Sequence, residues 1–185
     1  MAVVLSTMIP LGSKIINFEL LDVISNNNYK LTDNKSQIAT VIMFICVHCP
    51  FVKLINSKLG EISQIYSQKG VKFIAINSND IERYTDDSEE NMVLQAKEFN
   101  FAFPYLMDYT QELAKSYDAQ CTPDFFVYDY NDKLVYRGQF DSARPNNGKL
   151  VTGIDLSSVL DSLINSTKIS ENQIPSAGCN IKWKV

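Results

Sequence analysis

The chain has 185 residues, with 17 Lys and Arg against 21 Asp and Glu, and a net charge of −4 at pH 7. One domain of roughly 100–200 residues accounts for that length and leaves enough chain for a sizeable core. Apolar residues at 45% and charged residues at 21% exclude wholesale disorder, and a mildly acidic chain without a Lys/Arg run excludes the footprint of a nucleic-acid binder.

Met1 to Pro10 is apolar but has no charged leader, and its apolar run breaks at Ser6-Thr7. The expectation is no signal peptide and a cytoplasmic protein. No uncharged apolar run approaches the roughly 20 residues of a membrane helix, so no membrane partner is expected. Ile38 to Ile45 is a short β-branched run and predicts a strand buried on both faces. Cys46-Val47-His48-Cys49-Pro50 interrupts it. From there Val52, Ile55, Leu59, Ile62 and Tyr66 recur at helical spacing, predicting an amphipathic helix that ends near Gly70. Val71 to Ile76 is the next strand. Strand, helix and strand in succession predict a parallel pair with a right-handed crossover.

Asp87 with Glu90 resembles a capping box and predicts a second helix running to Phe99. Phe103 to Leu106 reads as a short extended segment and Gln111 to Tyr117 as a short helix. Asp124–Asp129 and Leu134–Tyr136 predict two antiparallel strands turning at Asn131-Asp132. Asp155 is read as the cap of a last helix with Leu156, Val159, Leu160 and Leu163 on one face. Residues 166–185 form a C-terminal tail whose docking place the sequence does not give. The whole, residues 1–185, reads as one α/β domain: a mixed central sheet with helices on both faces.

The four cysteines are Cys46, Cys49, Cys121 and Cys179. In a reducing compartment they point to redox catalysis, redox sensing or metal binding rather than to a static disulfide framework. Pro50 favours the first helical position, which puts Cys49 at or next to the N-cap. Unpaired amides and the positive dipole end stabilise an anion there, and a thiolate is the anion a cysteine nucleophile needs. His48, the single histidine, is a candidate proton shuttle. Against this stands the bland alternative of small buried hydrophobes. Cys121-Thr122-Pro123 precedes a strand, where an X-Pro bond is a candidate cis peptide.

Taken together these features resemble the thioredoxin fold, and within it a peroxiredoxin-like (redoxin) group of the alkyl hydroperoxide reductase/thiol-specific antioxidant type. The resemblance is to an uncharacterised subgroup. Its marks are Cys46-x-His48-Cys49-Pro50, Phe103-Pro104-Tyr105, Cys121-Thr122-Pro123-Asp124-Phe125-Phe126, Tyr136-Arg137-Gly138, Thr152-Gly153 and Gly178-Cys179-Asn180-Ile181-Lys182-Trp183. It implies a cis Thr122-Pro123 bond facing Cys49, with Cys49 as nucleophile. In the ungapped register the second thioredoxin cysteine falls at Val52; a gapped register matches Cys46 and Cys49 to both. The peroxiredoxin motif has Thr where Cys46 stands, Pro where Ile42 stands, and an arginine near Pro123.

The leading expectation is a thiol-disulfide oxidoreductase with Cys49 as nucleophile and Cys46, Cys121 or Cys179 as the second thiol. Thr122 and Pro123 would bind an extended substrate chain. The substrate would be an oxidised protein, a small-molecule disulfide or a peroxide, and a dithiol such as thioredoxin the reductant. No cofactor is expected. One alternative is a thiol peroxidase of antioxidant type with Cys49 as the peroxidatic cysteine, Arg137 or Arg144 replacing the missing arginine. Another is a metal-binding module through Cys46, His48, Cys49 and Cys121.

Overall fold

The computed structural model describes residues 3–185. Its elements in chain order are β1 (Val3–Leu5), β2 (Glu19–Asp22), β3 (Asn27–Lys30), β4 (Ala39–Phe44), α1 (Pro50–Ser67), β5 (Lys72–Asn77), α2 (Glu89–Glu98), β6 (Tyr105–Met107) and α3 (Glu112–Ser116). They continue with β7 (Cys121–Thr122), β8 (Asp124–Asp129), β9 (Leu134–Gly138), α4 (Ile154–Ile164) and β10 (Ala177–Asn180).

Every residue of β4 is buried, as an apolar run with no polar alternation requires of a central strand. It lies between β5, parallel, and β8, antiparallel, in a seven-stranded sheet of order β3-β2-β6-β5-β4-β8-β9. The sheet is therefore mixed. Alternate β4 side chains feed two cores. Val41 and Met43 pack with Val52, Ile55 and Leu59 of α1 and with Leu156 and Leu160 of α4. Ile42 and Phe44 face the other way, onto Leu113 and Ala114 of α3 and onto Tyr117. Helices thus cover both faces. The five apolar α1 positions read from periodicity are all buried, so that helix spends one face on the sheet and the other on water.

Three local assignments differ from the sequence reading. Ser88, not Asp87, caps α2, its hydroxyl accepting from the Asn91 amide at 3.4 Å. Gly153, with φ of 65°, caps α4 in place of Asp155; Asp155 instead accepts from Gln139 Nε2 at 2.5 Å. The β2–β3 hairpin was not anticipated at all, because its residues are mostly exposed or half-buried and carry no alternation to read.

The tail docks as a strand. β10 lies between β1 and β7 in a separate three-stranded sheet, antiparallel to both. Beyond it, the Ile181 amide donates to Gln120 O, the Lys182 amide to Asn79 Oδ1 at 2.8 Å, and the Lys184 amide to Gln111 Oε1 at 2.8 Å. Ile181 is buried in the second core.

Candidate active site

The chain leaves β4 at Phe44 and enters α1 at Pro50, and the candidate residues occupy the turn between them. Cys49 is the N-cap residue of α1, with Pro50 at the first helical position. A proline there forgoes an amide that would be unpaired anyway. The Thr122-Pro123 peptide bond is cis, as anticipated.

The Cys49 sulfur is surrounded by donors. As a thiol it donates to Thr122 O at 3.1 Å. As a thiolate it accepts first from the Cys46 thiol, then from the Cys179 thiol, the Thr122 hydroxyl and the Val52 amide. These outweigh the cost of burying the charge and draw its pKa down to about 5. Cys46 goes the other way. Burial, and the thiol's role as donor to Cys49, hold it well above the ordinary thiol value. Its sulfur also lies 3.4 Å from Thr122 Oγ1. One of the two thiols is thus kept protonated so that the other can ionise.

Asp87 organises the turn. It is fully buried, its Oδ1 accepts the amides of Val47 and His48 at 2.8 and 2.9 Å, and its Oδ2 is 2.6 Å from His48 Nδ1. Asn79 Nδ2 donates to the same Oδ2 at 2.7 Å. The His48 ring stacks on Tyr84, with centroids 5.9 Å apart. The tail joins this network through Lys182 and Asn79, so the Cys46–Cys49 turn and the C-terminal segment share one buried set of hydrogen bonds.

Cys121 and Thr122 are adjacent in β7 and point to opposite sides. The Thr122 hydroxyl lies on the side of Cys46 and Cys49, while Cys121 Sγ lies 3.8 Å from Pro123 O. Burial, with the nearby Asp124 carboxyl, pushes the Cys121 thiol far up. Cys121 is thus not among the groups that hydrogen-bond Cys49. Cys179 is, and burial together with donation to Cys49 raises its pKa to about 12.

The Thr122-Pro123 edge does not stand open for a substrate chain, as the sequence reading has it. β10 already pairs there, Cys179 opposite Thr122 and Asn180 opposite Cys121. The four-ligand metal set is not assembled either. Among the described residues, the possible ligand atoms within 4.8 Å of one another belong to Cys46, His48 and Asp87, without Cys49 or Cys121. His48 Nδ1 is already committed to Asp87 there.

The arginine positions are equally clear. Arg137 donates to Ile9 O and Gln173 Oε1. Arg144 shares a cleft with Phe51 and Pro123 and donates to Asp141 O, Ala143 O and Gln139 Oε1. Asp87 and Asp124 were missed by sequence reasoning. Asp124, next to Pro123, is wholly buried with Oδ2 unpartnered, and burial raises its pKa well above the usual carboxylate range.

Residues 11–137, which carry Cys49, its turn and the cis-proline loop, match the AhpC/TSA family. The chain belongs to the AhpC/TSA family. Two solved structures resemble it along nearly their full length. An uncharacterized conserved protein from Geobacillus kaustophilus is 53% identical with a TM-score of 0.97, covering 100% of this chain and 97% of that one. A hypothetical protein from Sinorhizobium meliloti 1021 is 42% identical with a TM-score of 0.94, covering 98% of each chain. The thioredoxin domain of a thiol-disulfide oxidoreductase from Bacteroides vulgatus is 17% identical with a TM-score of 0.65, covering 85% of this chain and 99% of that one, a likeness of fold. No curated protein matches. The AhpC/TSA assignment and the thioredoxin fold agree with a thiol-based oxidoreductase. Among the described residues, no helix is long and apolar enough to cross a membrane.

Proposed function

We propose that this AhpC/TSA member is a thiol-disulfide oxidoreductase in which Cys49 is the nucleophile of a Cys46-x-x-Cys49 site. One observation carries the reading: the Cys49 sulfur at the N-cap of α1, ringed by donors that draw its pKa to about 5. At pH 7 such a group is a thiolate, the species that attacks a disulfide. Cys49 takes one sulfur of the substrate into a mixed disulfide, and a second thiol displaces the other half. Cys46 and Cys179, the two thiols that donate to the Cys49 sulfur, are within reach for that step. A dithiol donor such as thioredoxin then returns the electrons. His48, its Nδ1 held by Asp87, keeps Nε2 for proton exchange at the mouth of the site.

Family membership also favours a thiol peroxidase, with Cys49 oxidised by peroxide to a sulfenic acid. Neither Arg137 nor Arg144 donates to the Cys49 sulfur, whose donors are Cys46, Cys179, Thr122 and Val52, and this weighs against it. Steady-state turnover separates the two. We expect reduction of a small disulfide with a dithiol donor to exceed reduction of hydrogen peroxide, and Cys49→Ser to abolish both. Unchanged turnover in Cys49→Ser would overturn the assignment.

A further inference from the structure

An extended substrate of a thioredoxin-type site would lay its backbone along the residue before the cis-proline, bringing its cysteine to the nucleophile. That position is filled by the chain itself. β10 runs antiparallel along β7, and the residue directly opposite Thr122 is Cys179. Thr122 O is also the acceptor of the Cys49 thiol. Gly178 lies so close that a Cβ on it would come within 2.0 Å of Thr122 O and 3.2 Å of Pro123 N. Cys179 joins Cys46, Cys49 and Val52 in one buried cluster.

β10 is not a loosely held flap. It is the middle strand of its sheet, with β1 on its outer edge. Ser176 before it and Lys182 after it are both buried and hydrogen-bonded, to Ser6 and Gly138 on one side and to Asn79 on the other. With the strand seated, Cys49 has no exposed surface. Another polypeptide cannot pair along the Thr122 edge of β7 that β10 already occupies. Val47, His48 and Phe51, within two residues of Cys49 in the chain, are half-buried, and side-chain motion there is the opening a small molecule would use.

We infer that β10 is a resident stand-in for a substrate strand, that Cys179 is the thiol with which Cys49 forms its disulfide, and that the substrates are low-molecular-weight disulfides rather than disulfides carried in a polypeptide. This rests on Cys49 being the nucleophile and assigns the second step to Cys179 rather than to Cys46. The Cys49 thiolate attacks one sulfur of the small disulfide, forms a mixed disulfide, and expels the first small thiolate. Cys179 passes its proton to that thiolate and attacks the Cys49 sulfur. The Cys49–Cys179 bond forms and the second half leaves as a thiolate, which takes from solvent the proton that Cys49 gave up on ionising. Two protein thiols are oxidised, one disulfide becomes two thiols, and an external dithiol resets the pair. Cys46 remains the donor that holds the Cys49 thiolate.

The test treats the reduced protein with one equivalent of bis(2-hydroxyethyl) disulfide, traps remaining thiols by alkylation, and maps the peptides. A Cys49–Cys179 bridge is expected in the wild type and in Cys46→Ser. In Cys179→Ser and Cys179→Ala, Cys49 should keep the hydroxyethyl adduct. A Cys46–Cys49 bridge with Cys179 alkylated would overturn the inference while leaving Cys49 as nucleophile. A first adduct on another cysteine would overturn both. In a second arm, the wild type should turn over the small disulfide and show no turnover of the same linkage carried in an extended peptide. Comparable turnover of the two would overturn the choice of substrate.

Discussion

Cys46 and Cys49 carry the same side chain and are driven in opposite directions, because one donates the hydrogen bond that the other accepts. A hydrogen bond to a charged group is worth about 1.5–3 kcal/mol, and about 1.4 kcal/mol moves a pKa by one. Cys46→Ala should therefore raise the pH midpoint of Cys49 alkylation by about one to two pH units. Cys46→Ser keeps a donor and should move it less. Iodoacetamide rates between pH 4 and pH 9 would measure both, and an unmoved midpoint in the alanine variant would remove Cys46 from this role. Cys49 was legible in the sequence because Pro50 marks a helix start, and a helix start favours an anion whatever the rest of the fold does. Asp87 was not. A carboxylate just ahead of a helix looks the same whether it caps that helix or reaches, as here, back to the amides of Val47 and His48 some 40 residues earlier.

At the scale of elements, Gly178 governs how β10 sits. Any side chain there meets the Thr122 carbonyl, so Gly178→Ala must push the strand off the cis-proline loop. Overpacking of this kind costs about 1–3 kcal/mol. A lower urea midpoint at unchanged slope is expected, with faster alkylation of Cys179, whereas wild-type stability and protection would show that the strand is looser than its register implies. β4, α1, β5, β8 and β9 were readable from periodicity because each buries an apolar face or both faces in one continuous run. β10 has no such run. Ala177, Gly178, Cys179 and Asn180 are small or polar residues, and they form a strand only because β1 and β7 offer edges on either side. Edges supplied by distant segments leave no periodic trace in the residues that use them.

For the whole molecule, the low Cys49 pKa is also a statement about folding. The folded value, about 5, lies below the ordinary thiol value of 9.0, so the unfolded chain binds more protons between those limits. The contribution of this group to stability is complete above pH 9 and is lost as pH falls through 5. Reduced wild type should thus gain stability relative to Cys49→Ser as pH rises across that window, by up to about 1.4 kcal/mol per pH unit. Paired urea titrations would read the difference, and parallel curves would show that Cys49 folds as an ordinary thiol. The place of β10 has a consequence for the order of events at birth. Synthesis runs from the N-terminal end, so Cys49, its turn and the cis-proline loop all exist before the strand that closes over them. Until β10 arrives, β7 presents a bare strand edge beside a sulfur poised to react. In that interval a nascent chain is open to disulfides carried in other polypeptides and to pairing with their strands, and the seating of β10 closes the β7 edge to both.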